Sequence, residues 1–378
     1  MSKSNVYCSP THSKNTETCY DNKSLIKIAT KLNSSRKKHI KIPNSISKNG
    51  RKKIWNSIKK NIKYKDKCSE DYCIANTDIV KSALSTQELK DTFRPVKPPE
   101  WNYNERKWLS TLDIKPVMKQ YEKVNKDFKF IGPVPIDFDY KTIFGSCVSE
   151  DLCKINIKKL LSKNIKKLGV VFNLDPHYKS GSHWTALYTN FDNGGIYYFD
   201  SYGVMPPREV QNLMIRIKTQ ANTLLENNIM DINSMENTHM IKSKYKFLND
   251  YQIEVDNPDL FLFETLIYFG KNKKSKLQID PETANMLGDK NGKVLTFKKK
   301  LNKTQLNSLN LVSLKSFRTF YNNRKFQLKN TECGVYSMNF VERLLNGESY
   351  DDFINNIIRD DQMHQNRNKY FSPNTQEI

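Results

Sequence analysis

The run His183-Trp184-Thr185-Ala186-Leu187-Tyr188-Thr189-Asn190-Phe191-Asp192-Asn193-Gly194-Gly195-Ile196-Tyr197-Tyr198-Phe199-Asp200 reads as a β-hairpin. Trp184, Ala186 and Tyr188 alternate against Thr185, Leu187 and Thr189, the period of two that a strand imposes. Ile196 to Phe199 is β-branched and aromatic, and Asn-Gly between two such runs is among the strongest short-range turn signals. With a loop from Phe191 to Gly194 and Asn190 paired to Gly195, His183 lies opposite Tyr202. Asp200 then falls on the same face one diagonal away, roughly 7–8 Å between backbones. A carboxylate can reach an imidazole across that gap. A single-residue bulge or another loop length would invert the parity.

Outward from the hairpin, strands and helices are mixed. Gly169 to Leu174 reads as a short buried strand. After Pro206-Pro207, the residues Val210, Leu213, Met214, Ile217, Ala221 and Leu224 share one helical face. Upstream, Ile114, Val117, Met118, Tyr121 and Val124 recur at helical spacing, with Pro116 tolerable in the opening turn. Downstream, Val335, Met338, Val341, Leu344 and Leu345 form another helix, which Asn346-Gly347 stops. The pattern predicts an α+β domain over residues 100–378. It carries an insertion at about 227–303 with its own strands and a helix near Leu260 to Phe269.

Cys333 opens the last of these helices. The unpaired amides and positive dipole end of a helix N-terminus favour thiolate. A free cysteine in such a place is also commonly a small hydrophobe, so its neighbours decide. A nucleophilic thiolate needs a base within hydrogen-bond reach and a third group that orients the base. The hairpin offers His183 and Asp200. Singly, each has a plainer reading, His183 as a polar strand end and Asp200 as a turn former before Ser201-Tyr202-Gly203. His177, in the loop Asp175-Pro176-His177, competes as base but has no comparable carboxylate in view. Gln327 precedes Cys333 where its amide can turn toward a developing oxyanion. Together with the Cys333 N–H it would supply two donors, each worth a few kcal/mol of barrier.

The N-terminal region differs in composition. From Met1 to Lys67 there are 18 lysines and arginines against three acids, Glu17, Asp21 and Asp66, which is +15 of the chain's formal +22. Residues 1–66 are expected to form a basic, mostly flexible arm with one short helix, and 67–99 a small accessory segment. The accessory segment ends in the proline linker Phe93 to Pro99. Such a charge on a flexible segment binds polyanions by counterion release, so DNA is an expected partner. Seven cysteines without the dense spacing of a secreted scaffold predict mostly free thiols and a reducing compartment, with Cys147 and Cys153 unligated. The spacings of Cys8, His12, Cys19, Cys68 and Cys73 fit no standard zinc site, so neither metal nor other cofactor is expected. No apolar run has the length of a signal core or a membrane span, and no membrane association is expected.

In the order His183, Asp200, Gln327, Cys333, three local words carry a resemblance. They are Gly181-Ser182-His183-Trp184, Tyr198-Phe199-Asp200-Ser201 and Thr331-Glu332-Cys333-Gly334. They resemble the cysteine proteases that process SUMO-like proteins, the adenovirus maturation protease and the polyprotein-processing proteases of large DNA viruses. The likeness spans roughly Trp108 to Phe371, with the insertion unmatched. It is strongest to the African swine fever virus type, whose N-terminal region resembles Cys68-Ser69-Glu70-Asp71-Tyr72-Cys73-Ile74.

The resemblance implies a papain-like-superfamily core, a central mixed sheet flanked by helices, working without a cofactor. It implies Cys333 as nucleophile, His183 as base, Asp200 as its orienter and Gln327 as oxyanion donor. Trp184 would help shape a slot that admits only a Gly-Gly backbone, and Trp108, at the start of the domain, would be a further substrate-binding residue. Strand alternation would equally leave Trp184 in the core. The acidic residue that the family carries soon after Trp108-Leu109 is displaced here to Asp113. The implied activity is cleavage of viral polyproteins or structural proteins at Gly-Gly-Xaa-like sites, in the virion or host cytoplasm. The alternatives are an isopeptidase acting on SUMO- or ubiquitin-like host conjugates, and an inactive nucleic-acid-binding particle protein.

Overall fold

The structure is a computed structural model. It describes residues 7–11, 18–35, 39–43, 46–62, 71–232, 245–255, 266–269, 275–278, 294–296, 300 and 317–373. The chain divides into two compact units. The first comprises Met1–Lys126, Gln327–Met338 and Ile358–Ile378, and the second Asp127–Phe326 and Asn339–Ile357.

The second unit is built on a mixed sheet. Its strands are β1 (Phe128–Pro135), β2 (Lys167–Asn173), β3 (Trp184–Asn190) and β4 (Gly195–Phe199). The insertion supplies β5 (Tyr245–Asn249), β6 (Gln252–Val255), β7 (Leu266–Phe269), β8 (Ser275–Gln278) and β9 (Val294–Thr296). β10 (Arg318–Tyr321) returns to the main sheet, whose order is β1-β2-β3-β4-β10. β1 and β10 run parallel to their neighbours, whereas β3 is antiparallel to both β2 and β4. Asn190 pairs with Gly195 and Ala186 with Phe199, the register expected from the Asn-Gly turn.

Alternation puts successive residues of β4 on opposite faces. Tyr198 joins one buried cluster with Leu168, Val170 and Phe172 of β2 and with Val210, Leu213, Met214 and Ile217 of the helix Arg208–Glu226. Phe199 enters the other face, its ring 5.1 Å from those of Phe326 and Phe340 and 5.2 Å from Phe353. Aromatic pairs at such distances add about 0.5–1.5 kcal/mol each beyond area burial. Phe340 belongs to the helix Cys333–Leu345, which therefore packs its later turns on the sheet. Gly169 permits that approach: a Cβ there would stand 2.9 Å from Val341 Cγ1 and 2.8 Å from the Phe128 ring. The helix belongs to the first unit as far as Met338 and to the second from Asn339.

In the insertion, β5, β6 and β9 form a three-stranded antiparallel sheet and β7 with β8 a hairpin. The helix expected near Leu260 to Phe269 is not found over Leu266–Phe269, which is a strand. Residues 256–265 lie outside the described residues. The run Leu-Ile-Tyr-Phe is as compatible with a strand as with a buried helix, and pairing with β8 decides it.

The first unit corrects the N-terminal expectation. Asn22–Ser35 and Lys48–Asn61 are helices, not flexible chain. Leu25, Ile28 and Leu32 from one and Ile54, Trp55 and Ile58 from the other are buried with Tyr20, Tyr72 and Phe93. The lysines between them occupy the solvent face, so a stripe of large apolar residues sufficed despite low overall hydropathy. The expected linker lies inside this unit. Lys97 N donates to Ser372 O and Ser372 N to Pro95 O, both at 2.8 Å. Prolines lack a donor but keep their carbonyls, so an extended proline stretch can still pair in this way.

The cysteines are also corrected. Cys8–Cys19 and Cys147–Cys153 are disulfides with Cα separations of 5.1 and 6.2 Å, and Cys73 is disulfide-bonded as well. Cys333 is the free cysteine among the described residues. Tertiary contacts make the first pair: Cys8 bridges to Phe93, and Cys19 N donates to Asp71 Oδ2 at 2.7 Å. Cys147 is held in a tight local turn that bridges it to Lys141. Neither arrangement is encoded in cysteine spacing. Among the described residues no group of His, Cys, Asp and Glu could hold a metal ion, and no helix is long and apolar enough to cross a membrane.

Candidate active site

The second unit brings His183 and Asp200 together. His183 Nε2 lies 2.9 Å from Asp200 Oδ1, with 13% and 3% of the two side chains exposed. An imidazole that donates from Nε2 has Nδ1 as its acceptor nitrogen, which is the atom a general base uses. The His183 ring stacks on Tyr202 with centroids 4.9 Å apart, across the hairpin as the register predicts. Asp200 Oδ1 also accepts from Tyr202 N at 2.7 Å.

Asn322 grips the same residue by its backbone. Its Oδ1 accepts from Asp200 N at 2.8 Å, while its Nδ2 donates to Asp200 O at 2.6 Å and to Arg324 O at 3.0 Å. The turn closes with Gly203 N donating to Asp200 O at 2.8 Å. Gly203 sits at φ +75° with the Arg324 backbone 2.8 Å from where a Cβ would be, so glycine is required there.

The first unit carries Cys333 and Gln327. Cys333 is the first residue of its helix and is 3% exposed. Glu332 precedes it, its carbonyl accepting the helix's first bond from Tyr336 N at 2.9 Å. Gln327 is fully buried, and its Nε2 donates to Lys329 O. Asp360 holds this loop, its Oδ2 accepting from Leu328 N at 2.8 Å and Lys329 N at 3.1 Å.

Trp184 opens β3, pairs with Asn173 and is 6% exposed. Trp108, in the first unit, is 43% exposed. His177 differs from expectation, because it does have a carboxylate: its Nδ1 lies 2.6 Å from Asp137 Oδ2 and its N–H donates to Asp137 Oδ1 at 2.8 Å. Asp137 stands in an earlier loop, out of view from the local sequence. The pair is the more open one, with 43% of the His177 side chain exposed. Sequence reading missed Asn322, Asp360 and the groups around Glu332. None carries a local signal, whereas Tyr202 could be placed from the hairpin register.

No family model matches the sequence. Over 381 residues the chain is 26% identical to a protein of Acanthamoeba polyphaga mimivirus named "putative thiol protease", covering 96% of this chain and 92% of that protein. Two crystal structures of an African swine fever virus protease, one in selenomethionine form, superpose with TM-scores of 0.51 and 0.52. Each is 16% identical, over 98% and 97% of this chain and 96% of the matched chain. The chain thus has the α+β fold of that viral protease, the central mixed sheet flanked by helices that its motifs suggested. A SUMO protease superposes over 69% of this chain with a TM-score of 0.29, too slight a likeness to carry an argument.

Proposed function

We propose that this chain is a thiol endopeptidase with Cys333 as nucleophile, His183 as base, Asp200 as orienter and Gln327 as an oxyanion donor. The observation that carries the reading is the buried His183–Asp200 pair at the end of a hairpin. Phe199, the residue before Asp200, packs on the helix that Cys333 opens. His183 takes the thiol proton, and the thiolate adds to the scissile carbonyl. The oxyanion collapses with loss of the amine, which takes the proton back from His183, leaving a thioester. Water, giving its proton to His183, then hydrolyses the thioester and returns the thiol. The 26% identity to a viral thiol protease supports the same reading.

The substrate proposed is a viral polyprotein or structural protein cut at Gly-Gly-Xaa-like sites in the virion or host cytoplasm, with Trp184 contributing to the slot and Trp108 a further substrate-binding residue. The proposed second partner is DNA. The two N-terminal helices leave Lys23, Lys31, Lys52, Lys53 and Lys60 exposed, so the cationic face is a folded surface. Replacing these lysines should lower both the affinity for duplex DNA and its salt slope, and an unchanged slope would remove that partner.

The enzymatic reading is tested by incubating folded protein with a Gly-Gly peptide vinyl sulfone. Covalent modification at Cys333, absent in Cys333→Ala, is expected. No adduct at Cys333 would overturn the assignment. Fluorogenic Gly-Gly-Xaa peptides compared with SUMO and ubiquitin adducts then report the substrate class.

A further inference from the structure

The residue before Cys333 is a fully buried carboxylate, which is costly unless it is paired. Glu332 Oε2 accepts from Arg367 Nε at 2.7 Å, and Glu332 Oε1 lies 3.0 Å from His364 Nδ1 and 3.8 Å from Arg106 Nη1. Arg367 is itself 2% exposed and uses all three nitrogens. Nη2 donates to Thr331 O at 3.2 Å, and Nη1 donates to Glu105 O at 3.0 Å and Lys107 O at 2.8 Å. Its guanidinium lies 4.4 Å over the Trp101 ring.

We propose that Arg367 is a positioning residue for the nucleophile. It holds Thr331 and Glu332, the two residues that deliver Cys333 into its helix, by a carbonyl and a carboxylate at once. The same plane holds the carbonyls on either side of Arg106, in the segment that leads into Trp108. One rigid fork thus sets both the turn before the thiol and the segment before a proposed substrate-binding residue. Such a role needs guanidinium geometry, because an ammonium has a single nitrogen and cannot meet carbonyls and carboxylate in one plane. Displacing a reacting group by about 1 Å can cost about a hundredfold in rate, so the clamp acts on turnover. The proposal rests on Cys333 being the nucleophile.

The test is Arg367→Ala assayed on a Gly-Gly-Xaa peptide with and without tens of millimolar guanidinium chloride, against sodium chloride at equal concentration. Turnover is expected to fall by about a hundredfold with KM changed far less, and guanidinium to restore it severalfold. The free ion can stack on Trp101 and bridge Glu332 to the Thr331 carbonyl. A residue that only stabilises the fold gives the opposite sign, since guanidinium then lowers activity further. Lack of rescue, or turnover within twofold of wild type, overturns the proposal. Should Arg367→Ala not fold, Glu332→Gln keeps the shape and removes the charge. A tenfold fall in its turnover supports the clamp, and turnover within twofold overturns it. Wild-type protein in the same assay separates the two claims: if it neither cleaves nor is alkylated at Cys333, the peptidase reading itself fails.

Discussion

The turn that carries Asp200 and the turn that carries Cys333 are held by different chemistry. Around Asp200 the lock is neutral: the Asn322 amide spans the backbone N–H and C=O, and Tyr202 N meets the carboxylate. Around Cys333 it is ionic, with Glu332 and Arg367 both buried and His364 alongside. A carboxylate that must stay available to an imidazole is best held through its main chain, where no competing cation shares its charge. A thiol at a helix start needs only its backbone placed, so the neighbouring side chain is free to carry the charged clamp. A buried ion pair is also brittle: removing one partner strands the other in a low-dielectric interior.

This difference can be broken in order of expected effect. Cys333→Ala should lower peptide hydrolysis by roughly 10⁴-fold or more, measured as kcat/KM on a Gly-Gly-Xaa substrate. Asp200→Ala should cost roughly 10³-fold or more in kcat, because His183 loses its orientation while the thiol stays in place. Arg367→Met, which removes the buried guanidinium from Glu332 and leaves that carboxylate only its contacts to His364, Thr331 and Arg106, should destabilise folding by about 3 kcal/mol in urea titrations. Gln327→Ala should lower kcat by roughly 10²-fold with little change in KM, as expected for a donor used only in the transition state. Asn322→Ala should cost less, about 1–3 kcal/mol, since it orphans one buried N–H but no full charge. An Asn322 variant that loses more stability than the Arg367 variant would reverse the ranking of neutral and ionic locks.

Much of the proposed site was legible in the chain. The Asn-Gly turn set the register that puts His183 across from Tyr202 and near Asp200, and the stripe from Val335 to Leu345 put Cys333 at a helix start. Those signals are short-range, with a period of two or 3.6 residues and the torsions of one turn, so they survive without tertiary context. The N-terminal helices were legible in principle, for Leu25, Ile28 and Leu32 keep helical spacing, but dense lysine hid a stripe that only burial against Trp55 and Phe93 gives meaning. The disulfides, the Asp137 partner of His177 and the strand at Leu266–Phe269 were not written locally at all.

The hairpin that presents His183 and Asp200 and the helix that Cys333 opens follow from local sequence, through turn chemistry and apolar periodicity. Tertiary structure alone decided what holds them: Asn322 lies 122 residues from Asp200, and Arg367 lies 35 from Glu332. The entropy of closing such loops grows only slowly with their length, so separation along the chain gives no hint of which partner will arrive. Packing selects the partner, and the demand that buried polar groups be paired makes that selection specific.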